Sequence, residues 1–230
     1  MAASEAAAIA AHVPAMNEWT VLLTSAVVAS FINGGFLLWI KRGDREREDL
    51  EAAHRLACAQ QEAMRSLEAF AEGADEFLGA LEEAFHDYGF AEEAVFRPLE
   101  KFHLRLDLPS SSVLDALQRP LVDQLYEFSR AIAVSAAWLD KNEVLCEDAF
   151  DIWKLDAQRV VHFGLLACDL ATRIRRGLDL PESDHTTALQ RHFEAAFAKV
   201  RSEFEENRTK LLLPQIEIRL KSALESVEEG

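Results

Sequence analysis

Two pairs of residues in this chain have the spacing of metal ligands. Glu83 with His86, and Glu100 with His103, each form an ExxH pair on one face of a helix. Helical bundles that hold two iron or manganese ions use two such pairs, completed by a glutamate from each of two further helices. The residue types match that chemistry, but the arrangement does not. The pairs lie 17 residues apart, with Gly89 and Pro98 between them. That places them on adjacent helices, with no intervening helix to carry its own glutamate. Glu83, His86, Glu100 and His103 are therefore metal candidates by type and not by spacing.

Other candidates are thinner still. His54 and Cys58 share a helix face at i and i+4, but nothing near them in sequence supplies further ligands. Glu147, Asp148 and Asp151 spell EDxxD, which superficially resembles the magnesium motif of helical isoprenoid synthases. A second acidic motif of that family is missing, so a solvated acidic face is the expected role. His162 lies in the apolar run VVHFGLL and reads as a core histidine with a hydrogen-bond partner. Gly-rich phosphate loops, HExxH and GxSxG do not occur. No cofactor is expected.

Three cysteines, Cys58, Cys146 and Cys168, are widely spaced and odd in number, without a CxxC. They read as small apolar core residues of a reducing compartment. The net charge is −16, almost all of it after Lys41. A domain this acidic repels phosphate backbones, which argues against a nucleic-acid partner. Half of the residues are hydrophobic, so a packed core is expected rather than a disordered tail. Arginine outnumbers lysine and alanine is abundant, a composition suited to a bacterial source.

The elements that must position these residues begin with a candidate anchor. Trp19–Ile40 reads WTVLLTSAVVASFINGGFLLWI, 22 residues without a charge. As a helix it measures roughly 33 Å, enough for a hydrocarbon core of about 30 Å. Trp19 and Trp39 fall where an aromatic belt would put them. A cleaved signal peptide would have a basic leader and a shorter apolar run. Lys41, Arg42, Arg45 and Arg47 follow the span, and no Lys or Arg precedes it. The positive-inside rule then orients residues 1–18 as a short extracytoplasmic tail and 41–230 as a cytoplasmic domain at the bacterial inner membrane. The same four basic residues are the candidates for touching anionic headgroups. Ala26, Ser30 and Gly34, four apart, form a small-residue stripe with Asn33 beside it. Such a stripe allows close helix packing inside a membrane.

Beyond Gly43, a possible hinge, every segment has helical periodicity. Leu50, Ala53, Ala57, Met64, Leu67, Ala71, Ala74, Leu78, Leu81, Phe85 and Tyr88 form a heptad seam with one miss at Gln60. It serves either a coiled coil between chains or, the preferred reading, one long helix of a bundle. Gly73 and Gly79 weaken it locally, and Gly89 ends it. Further helices are expected over about 91–105, 112–140, 143–176, 185–212 and 214–227. Pro98 and Pro120 perturb the first two, Gly177 caps the 143–176 helix and Pro214 starts the last.

A repeat links two of these helices. Residues 106–119 read LDLPSSSVLDALQR and residues 178–191 read LDLPESDHTTALQR, identical at nine of 14 positions with an offset of 72. The apolar register extends the likeness to about 106–132 and 178–204. Each copy reads as a corner between helices, with Ser112 and Asp115 as a capping pair in the first and Asp184 as N-cap in the second. Two such hairpins suggest an internal duplication.

The expected fold is thus all-α: one N-terminal transmembrane helix, then an antiparallel bundle of five or six long helices with a helical-hairpin repeat. The expected function is a non-enzymatic scaffold, adaptor or regulatory protein, acting through protein contacts or self-association at the membrane. The alternative is a membrane-tethered, metal-dependent helical enzyme of di-iron or diphosphate-handling type.

Overall fold

The computed structural model describes residues 18–142, 146, 149–206 and 211–228, without the side chains of 18–40, 43, 88–93, 149 and 222–228. Its elements are α1 (Glu18–Ala91), a 3₁₀ helix (Glu92–Lys101), α2 (Ser111–Ala116), α3 (Arg119–Asn142), α4 (Ala149–Gly177), α5 (Asp184–Glu206) and α6 (Pro214–Glu228). No strand occurs among the described residues. The all-helical expectation holds. The chain divides into two units, Met1–Ala53 and His54–Gly230.

In the first unit the backbone is α-helical from Glu18 onward, and the helix continues through Gly43, which is therefore not a break between helices. Lys41, Arg42 and residues 44–53 are exposed. No helix among the described residues is long and apolar enough to cross a membrane. The candidate anchor, 19–40, lies outside the residues whose side chains are described.

The second unit is a helical bundle, and the heptad seam shows how it is built. From Met64 through Leu67, Ala71, Ala74 and Leu78 to Leu81 the seam is buried within the chain. Ala63, Phe70, Phe77 and Ala84 widen it into a broader stripe, as expected for a helix facing a globular core rather than a narrow coiled-coil seam. The upstream members Leu50 and Ala53 are exposed.

The stripe packs on α4, the central helix. Val160, Val161, Phe163, Leu165, Ala167, Cys168, Leu170 and Ala171 are all buried, so α4 is enclosed on most of its circumference. This is the arrangement that the mostly apolar run from Val160 to Ala171 requires. Each such large side chain taken from water contributes about 1.5–3 kcal/mol. Phe128 of α3 sits edge-on to Phe70 of α1 at 5.1 Å and to Phe163 of α4 at 5.7 Å, joining three helices. Phe77 meets Trp153 and Phe85 meets Phe150. With Glu68 against Arg175 at the other end, these contacts make α1 and α4 antiparallel. By contrast, α1 and α5 run in the same direction, because Glu72 meets His185 and Asp75 meets His192. The bundle is thus not antiparallel throughout. A smaller core of Leu139, Leu155, Leu213, Ile216 and Leu220 holds α6 against α4.

Several local expectations change. The segment after α1 is 3₁₀, with Pro98 inside it, and the expected 112–140 helix is two helices. Gln118 precedes Arg119 and Pro120, and its carbonyl accepts from the N–H groups of Leu121 and Val122. Leu117 is extended at ψ 157°. In a continuous helix Pro120 would lack the N–H for the ladder and its ring would clash with the Ala116 carbonyl, so α2 stops and α3 restarts at Arg119. In the second copy of the repeat His192 stands at the position equivalent to Pro120, and α5 runs on unbroken.

The caps also move. Ser110, not Ser112, is the N-cap of α2, and its side chain makes no capping bond. For α5 the Ser183 hydroxyl accepts from the Thr186 N–H at 3.2 Å, so Ser183 is the cap and Asp184 begins the helix. At the end of α4 the left-handed residue is Asp179, at φ 52°, and not Gly177. The Leu180 N–H donates to the Arg175 carbonyl and the Asp179 N–H to that of Arg176. This is the Schellman closure, with aspartate where glycine is commonest. Asp107, its counterpart in the first copy, is not left-handed. The two LDLP segments therefore share a sequence without sharing a backbone path.

Candidate functional site

The metal candidates remain apart. Glu83, His86, Glu100 and His103 are all exposed. Among the described residues no three His, Cys, Asp or Glu side chains converge on a metal position. His54 Nε2 lies 3.7 Å from Cys58 Sγ on the exposed face of α1. Cys58 is thus not a core residue, whereas Cys146 is half-buried and Cys168 fully buried. Burial, reinforced by the charges of Asp169, Asp75 and Glu68, pushes the Cys168 thiol up to about 12, which makes it an inert packing group. Glu147 and Asp148 lie outside the described residues, and Asp151 is half-buried. Ala26, Ser30, Asn33 and Gly34 fall in the helical backbone of α1, but their side chains are outside the described set. Of the four basic residues after the span, all exposed, Arg42 pairs with Glu46 at 3.4 Å.

His162 differs from expectation. Its Nδ1 is buried and finds no hydrogen-bond partner among the described residues. Burial, and then the Arg219 charge, push its pKa down to about 4. Its half-buried ring lies edge-on to Phe163 at 5.0 Å. Nearby, burial pushes the Asp156 carboxyl up against the opposing pull of Arg159. Asp156 Oδ1 and Arg159 Nε lie 3.2 Å apart, but neither makes a properly directed hydrogen bond. Contact of opposite charges without that alignment leaves their desolvation only partly offset.

The polar groups that the fold does bring together lie where α5 meets α1. Glu68 Oε1 accepts from Arg175 Nη2 at 2.7 Å and from the Thr186 hydroxyl at 3.1 Å. Arg175 also donates to the Pro181 carbonyl, tying down the LDLP turn. Glu72 Oε1 is 2.8 Å from His185 Nε2. His192 contacts Asp75 through Nδ1, with Glu82 3.9 Å from its Nε2. Glu68, Asp75 and Glu82 are seven residues apart, as are His185 and His192. The ladder thus repeats with the helices. That heptad spacing was present in the sequence, but its partners lie more than 100 positions away.

Beside the ladder α1, α4 and α5 enclose a groove of about 280 Å³. Leu78, Phe85, Val161 and Val200 supply apolar lining, and Lys154, Lys199, Glu82 and Glu203 supply charged groups. Lys154 Nζ lies over the Phe150 ring at 4.2 Å. Periodicity alone did not reveal the groove, because three helices distant in sequence form its walls. No family model, curated protein or solved structure matches the chain.

Proposed function

We propose that this chain is a membrane-anchored helical scaffold, adaptor or regulatory protein that works through protein contacts rather than catalysis. The observation that carries this reading is the segment 19–40, 22 residues without a charge, followed by Lys41, Arg42, Arg45 and Arg47 and preceded by no basic residue. Such a segment spans a bilayer with its basic flank on the cytoplasmic side. The 41–230 part is then the cytoplasmic domain at a bacterial inner membrane. Ala26, Ser30, Gly34 and Asn33 offer a packing face for another transmembrane helix, in a second copy or a partner. The bundle uses the heptad seam from Met64 to Leu81 internally. Contacts to protein partners therefore fall to exposed positions such as Leu50 and Ala53 and to the two LDLP corners. The −16 charge argues against nucleic acid as a partner.

The test is protease protection. Intact spheroplasts expressing the full chain with a C-terminal epitope are treated with protease before and after lysis. The expected result is an epitope that survives until lysis, on protein that alkaline carbonate leaves in the membrane pellet. Digestion from outside intact spheroplasts refutes the orientation, and release by carbonate refutes the anchor.

A further inference from the structure

We propose that the groove between α1, α4 and α5 binds a single-chain amphiphile with an anionic head, such as a fatty acid or an alkyl phosphate. Leu78 and Val161 are buried at the groove wall, and Phe85, Phe150, Ala157, Ala196 and Val200 are half-buried along it. An apolar concavity with a few polar groups at its edge is the usual form of a small-molecule site. Its volume of about 280 Å³ falls just below the roughly 300–1,000 Å³ of drug-sized ligand sites. That suits one flexible chain better than a ringed cofactor or a two-chain lipid.

The charges select the head group. Among the described residues neither Lys154 nor Lys199 forms an ion pair, as is also true of Lys41, Lys101 and Lys141; what sets Lys154 and Lys199 apart is that both line the same apolar groove. Lys154 rests on the Phe150 ring. Glu82, the acidic group of α1 at the groove, is turned toward His192 at 3.9 Å. Glu203 already has a partner. Two ammonium groups without an anionic partner, at the edge of an apolar groove, complement a carboxylate or phosphate whose alkyl tail lies on Leu78, Val161 and Val200. Burying that tail supplies the affinity, and the lysines supply the choice of head. This inference is independent of the membrane reading, since a free amphiphile reaches the groove with or without an anchor.

The test uses the full chain in phosphatidylcholine nanodiscs and a photoreactive ten-carbon carboxylate, with labelled peptides mapped by mass spectrometry. The expected result is saturable labelling of peptides within 150–161 and 196–203. Unlabelled decanoate or decyl phosphate should compete, and whichever competes better identifies the head group. The matching alcohol and trimethylammonium probes should label these peptides at least tenfold less. Lys154→Glu with Lys199→Glu should reduce labelling by the carboxylate at least tenfold while helix content by circular dichroism stays unchanged. Ala196→Trp, which fills the groove, should abolish it. Equal labelling by the neutral or cationic probe overturns the proposal. So does labelling confined to 19–40, or labelling that the lysine substitutions leave intact.

Discussion

At the scale of single residues, three glycines inside helices have opposite meanings. A β-carbon at Gly73 or Gly79 of α1 would meet nothing within 4 Å, whereas one at Gly164 of α4 would lie 2.5 Å from the Phe193 ring. Phe193 is fully buried and cannot swing aside. Gly73→Ala and Gly79→Ala should each stabilise the protein by about 0.5–1 kcal/mol, the gain in helix propensity. Gly164→Ala should lose about 1–2 kcal/mol, because overpacking outweighs that gain. Urea denaturation of the three variants checks this, and a stabilised Gly164→Ala would show that α4 and α5 are not in close contact. The sequence marked Gly73 and Gly79 as weak points of a helix. It could not mark Gly164, because the constraint there is a ring from another helix.

At the scale of elements, α6 depends on one side chain. Gln158 is buried on α4, and its Oε1 accepts from the Leu213 N–H at 2.9 Å while its Nε2 donates to the Leu211 carbonyl at 3.4 Å. Its amide thus acts as a backbone unit for the segment leading into α6, which otherwise rests on the small core around Leu155 and Ile216. Gln158→Leu should cost about 1–3 kcal/mol, since it strands a buried N–H. Hydrogen exchange should show the loss of protection concentrated in 211–220, with α4 itself little changed. Uniform loss over the whole bundle would mean that α6 is not held locally. The split of α2 from α3 is a simpler element-scale event. Pro120 dictates it, and the sequence placed the perturbation correctly without showing that a full break results.

At the scale of the whole molecule, acid stability turns on burial. His162 has its folded pKa lowered to about 4 from 6.5. A depressed value means that protons favour the unfolded chain. Its contribution is therefore complete above pH 6.5 and is lost as pH falls through about 4, with a ceiling of about 3 kcal/mol. Asp156 is shifted the other way, up from 3.8. Its contribution is full below pH 3.8 and is lost as pH rises through the raised value. The two oppose each other at the acid end. His162→Phe should remove the slope between pH 6.5 and 4 that His162 supplies, at most about 1.4 kcal/mol per pH unit. If wild-type and variant stability curves run parallel over that range, His162 is not held neutral in the fold.

The sequence by itself determined the helical class, the approximate helix ranges, the buried run of α4 and the apolar stripe of α1. These follow from periodicity, which local spacing carries. It also carried the uncharged 19–40 segment and the basic flank after it. Tertiary structure alone decided that the seam from Met64 onward packs inside the chain, that α1 and α5 run parallel, and that His185 and His192 meet carboxylates of α1. It also decided that two near-identical LDLP segments follow different backbone paths, and that three helices enclose a groove with unpaired lysines. The seam, the direction of α5, the histidine contacts and the groove each depend on which faces meet across tens of positions of chain. An amphipathic pattern states that a face must be covered, but not by what.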